Sequence, residues 1–221
     1  MSPTHAIIFA NGDPASFTWA NWQRFYTPTS LLIGADGGAA YFERFGVLPH
    51  LAIGDFDSLS AAHLHALTEA GVRIERHPRN KDKTDLELAI DAALAAGVQH
   101  VTIFGALGSR WDMALANMLI LARTDYATLN LRLVDSIQEL FLIRPGPPCT
   151  IAGSIGATLS LVALRADATG VTTTGLAYPL HHDQLPYGAT LGISNVLTAP
   201  KATVQIDSGL LLAVLFHQPP P

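Results

Sequence analysis

The sequence is poor in charged residues and lacks long apolar runs. Charged residues make up 14% of the 221 residues, and hydrophobic residues make up 49%. An average soluble chain carries about 25% charged residues, and a chain this apolar can bury a core, which excludes disorder as its main state. The longest apolar stretch, residues 210–216, is the length of a strand, whereas a membrane helix needs about 20 residues. The composition therefore predicts a globular protein that crosses no membrane.

Cysteine and positive charge are also scarce. Cys149 is the only cysteine, so no internal disulfide can form, which is typical of a reducing cytoplasm. The first residues show neither the basic nor the apolar region of a signal peptide. The formal net charge is −5, which argues against nucleic acid as a partner. We therefore expect a cytoplasmic protein.

Aspartate is the abundant acid in this chain, with 13 copies against five of glutamate. Glutamate is the better helix former, whereas aspartate favours turns, helix caps and magnesium sites. Six of the aspartates stand in predicted turns or beside glycines, at Asp36, Asp55, Asp57, Asp82, Asp85 and Asp112. They predict either ordinary caps and turns or a site for metal and phosphate.

The distribution of charge divides the chain in two. Residues 146–221 contain five charged side chains and the preceding residues contain the other 26. The change coincides with the Pro-Gly-Pro-Pro stretch after Arg144, which can continue neither a helix nor a central strand. We therefore predict one domain over residues 1–144, a second over 145–217 and a disordered tail over 218–221.

The first domain alternates apolar strand patterns with helical patterns. The strands are predicted at residues 6–10, 31–35, 51–53, 72–76, 101–104 and 131–134, and the helices at 15–26, 60–70, 86–96 and 111–123. A capping box formed by Thr84 and Glu87 marks the start of the third helix. This alternation predicts a doubly wound, mostly parallel sheet with helices on both faces.

The second domain contains short β-like segments separated by turn signals. Strands are predicted at residues 158–164, 170–174, 202–206 and 210–216. They indicate a small antiparallel β-sandwich. Because this domain has so few charges, we expect another subunit to cover part of its surface.

Four loops at one edge of the predicted parallel sheet carry carboxylates or glycines. In doubly wound folds, ligands bind beyond the carboxyl ends of the strands. Asp55 and Asp57 can both face one cleft, and magnesium prefers such oxygen ligands together with substrate phosphates. Arg110 can bind phosphate through its guanidinium group, and the lysines at 81 and 83 supply mobile positive charge. No P-loop and no G-x-G-x-x-G after the first strand is present, so the usual nucleotide motifs are absent.

Several motifs in these loops and in the second domain resemble those of the bacterial thiamine pyrophosphokinase family. In order along nearly the whole chain, these are A-D-G-G-A at residues 35–39, I-G-D-F-D-S at 53–58, K-D-K-T-D at 81–85, the segment 105–117, G-V-T-T-T-G-L-A-Y-P-L at 170–180 and G-I-S-N at 192–195. The resemblance implies an α/β domain joined to a β-sandwich. It also implies a homodimer with active sites at the subunit interface, and Mg²⁺-dependent transfer of pyrophosphate from ATP to the thiamine hydroxyl with release of AMP.

The resemblance also assigns roles to individual residues. Asp55, Asp57, Asp82 and Asp85 would hold Mg²⁺ and phosphates, with Asp85 helping to activate the hydroxyl. Ser194 and Asn195 would contact thiamine. ATP would be bound by residues of the same loops, namely Asp36, Gly37, Lys81, Thr84, Gly105, Gly108, Arg110 and Asp112.

Two positions depart from the family pattern G-G-R-x-D-H. Ser109 replaces the second glycine and Met113 replaces the histidine. A methionine can neither donate a strong hydrogen bond nor accept a proton. Two alternatives therefore stay open: a related diphosphokinase acting on another hydroxymethyl heterocycle such as a pterin, or a catalytically weak protein that binds thiamine or nucleotide.

Overall fold

The computed structural model describes residues 3–217, and the predicted tail at 218–221 lies outside the described residues. The chain divides into two compact units, Met1–Ser136 and Ile137–Pro221. Over the described residues, no helix is both long enough and apolar enough to span a membrane.

The first unit is built on six parallel strands. They are β1 (His5–Phe9), β2 (Leu31–Ala35), β3 (Leu51–Gly54), β4 (Arg73–Arg76), β5 (His100–Phe104) and β6 (Asn130–Val134). Their order in the sheet is β6-β5-β1-β2-β3-β4, and every neighbouring pair is parallel. The chain therefore builds outwards from β1 in one direction and then returns to β1 to build in the other, which confirms the doubly wound prediction.

Four α-helices and three 3₁₀ segments connect these strands. The helices are α1 (Trp19–Phe25), α2 (Ala61–Glu69), α3 (Asp85–Ala95) and α4 (Trp111–Ile120), and the 3₁₀ segments are Pro14–Ser16, Asp36–Phe45 and Thr124–Tyr126. Where the sequence predicted only a glycine turn after β2, the structure has the ten-residue segment Asp36–Phe45. The fully buried Phe42 packs it against Phe9 and Trp22.

Both faces of the central strands are buried. Residues Ala6 to Phe9 of β1 are each 0% exposed, and successive strand residues point to opposite faces. An aromatic cluster that includes Phe9, Trp22 and Phe104 covers one face, while α3 packs along β1, β2 and β3. Helix α3 begins where predicted, because the Thr84 hydroxyl accepts a hydrogen bond from the Glu87 amide at 3.2 Å.

The second unit is a sandwich of two antiparallel sheets. Its strands are β7 (Gln138–Ile143), β8 (Cys149–Ala152), β9 (Thr158–Ala163), β10 (Ala168–Thr174), β11 (His181–Leu185), β12 (Asn195–Val196), β13 (Lys201–Gln205) and β14 (Leu211–Phe216). Within this unit the orders are β12-β9-β14-β7 and β11-β10-β13-β8. One core holds residues of both sheets, such as Leu159 and Leu211 from one and Val171 and Val204 from the other. The predicted β-sandwich is thus confirmed.

The units divide earlier than the composition suggested. The division lies between Ser136 and Ile137, before β7, whereas the predicted boundary followed residue 144. Strand β7 pairs with β14 over its whole length, from Gln138 opposite Phe216 to Ile143 opposite Leu211. The Pro-Gly-Pro-Pro stretch therefore follows the first strand of the second unit instead of preceding it.

Candidate active site in the first unit

The order of the strands places a cavity at the carboxyl edge of the parallel sheet. The chain reverses its direction of winding between β1 and β5, and such a switch point leaves a crevice between the loops that follow the two strands. A cavity of about 660 Å³ lies there. Its lining includes residues from the loops after β1 to β5, among them Asn11, Asp36, Asp55, Asp57, Lys81, Asp82, Asp85, Gly105, Gly108, Ser109, Arg110 and Met113.

Three aspartates meet in this cavity. Carboxylate oxygens of Asp36, Asp55 and Asp57 all lie within 4.8 Å of one another. Asp36 is 5% exposed, its φ is 49°, and its buried Oδ1 has no hydrogen-bond partner within residues 3–217. A buried, unpaired carboxylate oxygen is unfavourable unless a cation or donor reaches it. The group thus has the oxygen donors and the excess negative charge that suit a divalent cation.

Asn11, in the loop after β1, holds this group together. Its Nδ2 donates to Asp36 Oδ2 at 3.0 Å and to Ser58 Oγ at 2.8 Å. The side-chain oxygen Oδ1 of Asn11 packs so closely on Gly37 that a Cβ there would overlap it, so a side chain at this position would displace the Asn11 amide. Asn11 is not among the residues predicted from the sequence, although its place directly after a central strand is the signal that identified the other loops.

The Asp55–Asp57 turn is fixed by its own backbone. Asp57 N donates to Asp55 Oδ1 at 3.1 Å. Between them Phe56 is 4% exposed and adopts a φ of 61°, which is unusual for a bulky residue. Arg76 donates to the Asp55 carbonyl oxygen at 3.0 Å and stacks over the Phe56 ring. Burial of Phe56 therefore anchors the turn that places both aspartates beside the cavity.

Lys81 and Asp85 form an ion pair next to the three aspartates. Lys81 Nζ lies 3.0 Å from Asp85 Oδ1 and 3.9 Å from Asp55 Oδ2. Burial raises the pKa of the Asp85 carboxyl, and the contact with Lys81 partly opposes that rise. A Cβ at Gly54 would lie 3.1 Å from Asp85 Oδ1, so the glycine at the end of β3 leaves room for this carboxylate.

The other residues of the Lys81–Asp85 motif have different surroundings. Asp82 lines the cavity but is exposed, and it is not part of the group of three aspartates. Thr84 is the N-cap of α3. Lys83 precedes α3, and its Nζ lies 2.6 Å from Oδ2 of Asp91 on that helix. Both lysines are thus engaged in ion pairs, unlike the mobile charges that the sequence predicted.

The loop after β5 contributes the opposite wall of the cavity. Asn117 Nδ2 on α4 donates to the Ala106 carbonyl oxygen at 2.7 Å and fixes this loop. Arg110 forms a two-point ion pair with Asp112, with Nε 3.2 Å from Oδ1, and both side chains are mostly exposed. A Cβ at Gly108 would meet no atom within 4 Å, so packing within this chain does not require that glycine.

Ser194 and Asn195 lie in the second unit, where Ser194 ends a turn and Asn195 begins β12. Ser194 is exposed and has a φ of 61°. The Asn195 side chain binds the backbone of Tyr178 on both sides: Oδ1 accepts from Tyr178 N at 3.0 Å, and Nδ2 donates to Tyr178 O at 2.7 Å. Oδ1 also accepts from Val196 N at 2.9 Å. Asn195 therefore holds its neighbours in place and has one amide hydrogen left for a ligand.

Two family models match the chain. The catalytic domain of thiamin pyrophosphokinase matches residues 22–133, and the vitamin B1 binding domain of the same enzyme matches residues 149–211. The first match covers the loops from β2 to β5 that line the cavity, and the second covers Ser194 and Asn195.

Curated and solved relatives agree with these matches. Thiamine pyrophosphokinase of Bacillus subtilis is 30% identical over 84% of this chain and 86% of its own length. Thiamine pyrophosphokinase 2 of Oryza sativa is 29% identical over 95% of this chain and 85% of its own length. A crystal structure of the Bacillus subtilis enzyme superposes with a TM-score of 0.87 at 28% identity, covering 97% of this chain and 99% of the other.

Proposed function

The chain belongs to the thiamine pyrophosphokinase family, and we propose that it transfers the pyrophosphate group of ATP to the hydroxyl of thiamine. The observation that carries this proposal is the carboxylate-lined cavity at the switch point of the sheet, within the part of the chain that matches the catalytic domain. Such crevices bind nucleotides in doubly wound folds. The two alternative functions, a diphosphokinase acting on a pterin and a binding protein without catalytic turnover, have no comparable support among the relatives.

The donor set of the cavity fits Mg²⁺. Asp36 Oδ1 is buried without a partner, and oxygens of Asp55 and Asp57 lie within 4.8 Å of the Asp36 carboxylate. We assign these three residues to the ion and place Asp82 and Asp85 nearer to the substrates, which revises the set of four expected from the resemblance. When bound, Mg²⁺ would neutralise the carboxylates and the charge of the ATP phosphates.

Asp85 is suited to accept the proton of the attacking hydroxyl. Because burial raises its pKa, its carboxylate is a stronger base than an exposed aspartate. In the proposed step the thiamine oxygen bonds to the β-phosphorus of ATP. The bond from that phosphorus to the oxygen bridging it to the α-phosphorus breaks, so that AMP leaves. Lys81, 3.0 Å from Asp85, supplies positive charge beside the group that must stay ionised.

The remaining cavity residues would bind ATP. Arg110 is paired only with the exposed Asp112 in the described contacts, so it can exchange that carboxylate for a phosphate at little cost. Gly37, Thr84, Gly105 and Gly108 would then act through the shape and backbone of their loops, whereas Asp36 would act on the phosphates through the ion that its carboxylate would hold. Met113 lines the cavity, so the proposed reaction proceeds without a histidine at that position.

We propose that the second unit binds the thiamine acceptor through the turn at Ser194. The match to the vitamin B1 binding domain supports this assignment. Ser194 would contact the acceptor directly through its exposed hydroxyl, whereas Asn195 would mainly hold the turn and the Tyr178 backbone.

A cytoplasmic homodimer is the proposed assembly. The second unit exposes large apolar side chains, including Ile155, Leu191 and Ile193. In the first unit, Trp111, Leu115 and Leu119 are exposed at helical spacing on α4. Exposed apolar groups of this kind mark contact surfaces. Sedimentation velocity at micromolar concentration should give the mass of two chains, and a 23.5 kDa species would contradict the dimer.

The activity is tested with purified protein, Mg²⁺, ATP and thiamine, by following AMP and thiamine diphosphate. We expect equal amounts of the two products, and a loss of at least about 100-fold in turnover for Asp85→Asn. Asp183→Asn is the matched control, since Asp183 is an exposed carboxylate of the second unit. AMP formation with a pterin alcohol but not with thiamine would refute the proposal, and near-normal rates for Asp85→Asn would remove that residue from the mechanism.

A further inference from the structure

Lys83 lines the cavity, and its ammonium group is held by contacts along α3. It lies in the irregular segment between β4 and α3 that also carries Lys81 and Asp82. Its Nζ reaches two turns along the helix to Asp91 Oδ2, at 2.6 Å, and stands 3.9 Å from Glu87 Oε1. The part of the loop that follows Asp82 is therefore attached to α3 through Lys83.

Asp91 is itself fixed by a buried residue. Its other oxygen, Oδ1, accepts from the Tyr126 hydroxyl at 2.8 Å. Tyr126 is 1% exposed, and burial together with the bond to Asp91 raises the pKa of its phenol, so it stays a protonated donor. Arg123 lies over the Tyr126 ring and forms an ion pair with Glu87 at 2.7 Å. The acceptor for Lys83 is thus held from a second element, the 3₁₀ segment after α4.

Lys81 anchors the same loop on its other side. Its Nζ donates to the Pro78 carbonyl oxygen at 3.3 Å and pairs with Asp85 at 3.0 Å. The two lysines that flank Asp82 both line the cavity, but they are bound to different partners on α3, Lys81 to Asp85 and Lys83 to Asp91. Exposed Asp82 stands between these two anchors.

We propose that Lys83 is a positioning residue, which acts through Asp91 and Tyr126 to fix the loop that presents Lys81 and Asp82 to the cavity. The expected effect of Lys83 on turnover rests on the proposed function, whereas its effect on the position of the loop does not. A misplacement of about 1 Å in such a loop can lower catalysis about 100-fold. We expect a loss of about tenfold in kcat/KM for ATP, with KM for thiamine unchanged.

The competing interpretation is that Lys83 binds phosphate directly. Replacing Asp91, the partner of Lys83, distinguishes this interpretation from the positioning role. If Lys83 positions the loop, Lys83→Met and Asp91→Asn should have similar effects, and the double variant should be no worse than either single one. If Lys83 binds phosphate, Asp91→Asn releases the lysine and leaves ATP affinity unchanged or improved. Lys83→Arg, which can still pair with Asp91, should restore most of the rate.

The test combines amide hydrogen exchange of the free protein with steady-state kinetics. In Lys83→Met and in Asp91→Asn, amides of residues 79–84 should exchange about threefold to tenfold faster, while β1 and β5 stay protected. Lys201→Met is the matched control, because Lys201 is an exposed lysine of the second unit, and it should change neither readout. Unchanged exchange in residues 79–84 would overturn the inference whatever the activity. An unchanged or improved affinity of Asp91→Asn for ATP would overturn it as well. A wild-type protein inactive on thiamine would instead refute the proposed function.

Discussion

Asp36 is the buried carboxylate of the cavity, and its replacement by asparagine should affect stability and metal response in opposite directions. Asparagine keeps the size of the side chain and an oxygen that can accept the bond from Asn11 Nδ2. It removes the negative charge of a residue that is only 5% exposed. Without a divalent cation, the variant should therefore be more stable than the wild type.

The magnitude follows from the distances between the carboxylates. Two unit charges 4.8 Å apart repel by about 3.5 kcal/mol at an effective dielectric constant of 20. Solvent screens Asp57, whose side chain is 52% exposed, and Lys81 offsets part of the charge of Asp55. We therefore expect a gain of about 1–2 kcal/mol in the free energy of unfolding, or about 2–8 °C in Tm for a protein of this size.

The assay is thermal unfolding in EDTA and in 5–10 mM Mg²⁺, on the order of concentrations that saturate weak oxygen sites. Wild-type protein should gain stability from Mg²⁺, and Asp36→Asn should gain little while losing turnover. Asp183→Asn should behave as wild type in both buffers. A lower Tm for Asp36→Asn in EDTA, or an undiminished Mg²⁺ response, would refute the electrostatic reasoning.

Three further outcomes are expected. Thr84→Ala removes the N-cap of α3 and should cost about 1 kcal/mol in urea unfolding, whereas an unchanged midpoint would contradict this capping role. The acid limb of the pH profile of kcat/KM should lie above the ordinary aspartate pKa of 3.8, because Asp85 must be ionised to accept a proton. Lys81→Met should move this limb to higher pH, since Lys81 lowers the pKa of Asp85. A shift to lower pH would contradict the assignment of Asp85 as the base. Asn195→Ala loses both bonds to the Tyr178 backbone and should raise KM for thiamine about tenfold with KM for ATP unchanged, as initial rates at varied thiamine will show.

The strands of the first unit were predictable because their signals are local. Strand β2 was predicted at residues 31–35 and is observed at Leu31–Ala35, since an apolar run bounded by turn residues defines a buried strand by itself. Strand β11 was missed because four of its five residues, His181 to Gln184, are exposed. An exposed strand of polar residues gives no burial pattern, so only its pairing with β10 identifies it.

The site was predictable as a set of loops but not as a set of partners. Residue spacing placed Asp55 and Asp57 together, because a turn of three residues links them. That Asp36 joins them and Asp82 does not depends on β2 lying beside β3 and on how the chain leaves each strand. Those distances are set by tertiary packing, for which a single sequence offers no local signal. Asn195 itself was predicted, but the same limit concealed its partner Tyr178, which lies 17 residues away.

Asp36 combines three features that would each weaken a protein without a compensating role. Its backbone is left-handed, its side chain is buried, and one carboxylate oxygen lacks a donor. A strained, desolvated charge persists where the surrounding structure holds it and where function requires it. Here Asn11 supplies a donor for one oxygen, and the other is left beside Asp55 and Asp57. An asparagine at position 36 would remove this buried charge, so the presence of the aspartate supports the proposal that a cation completes the group.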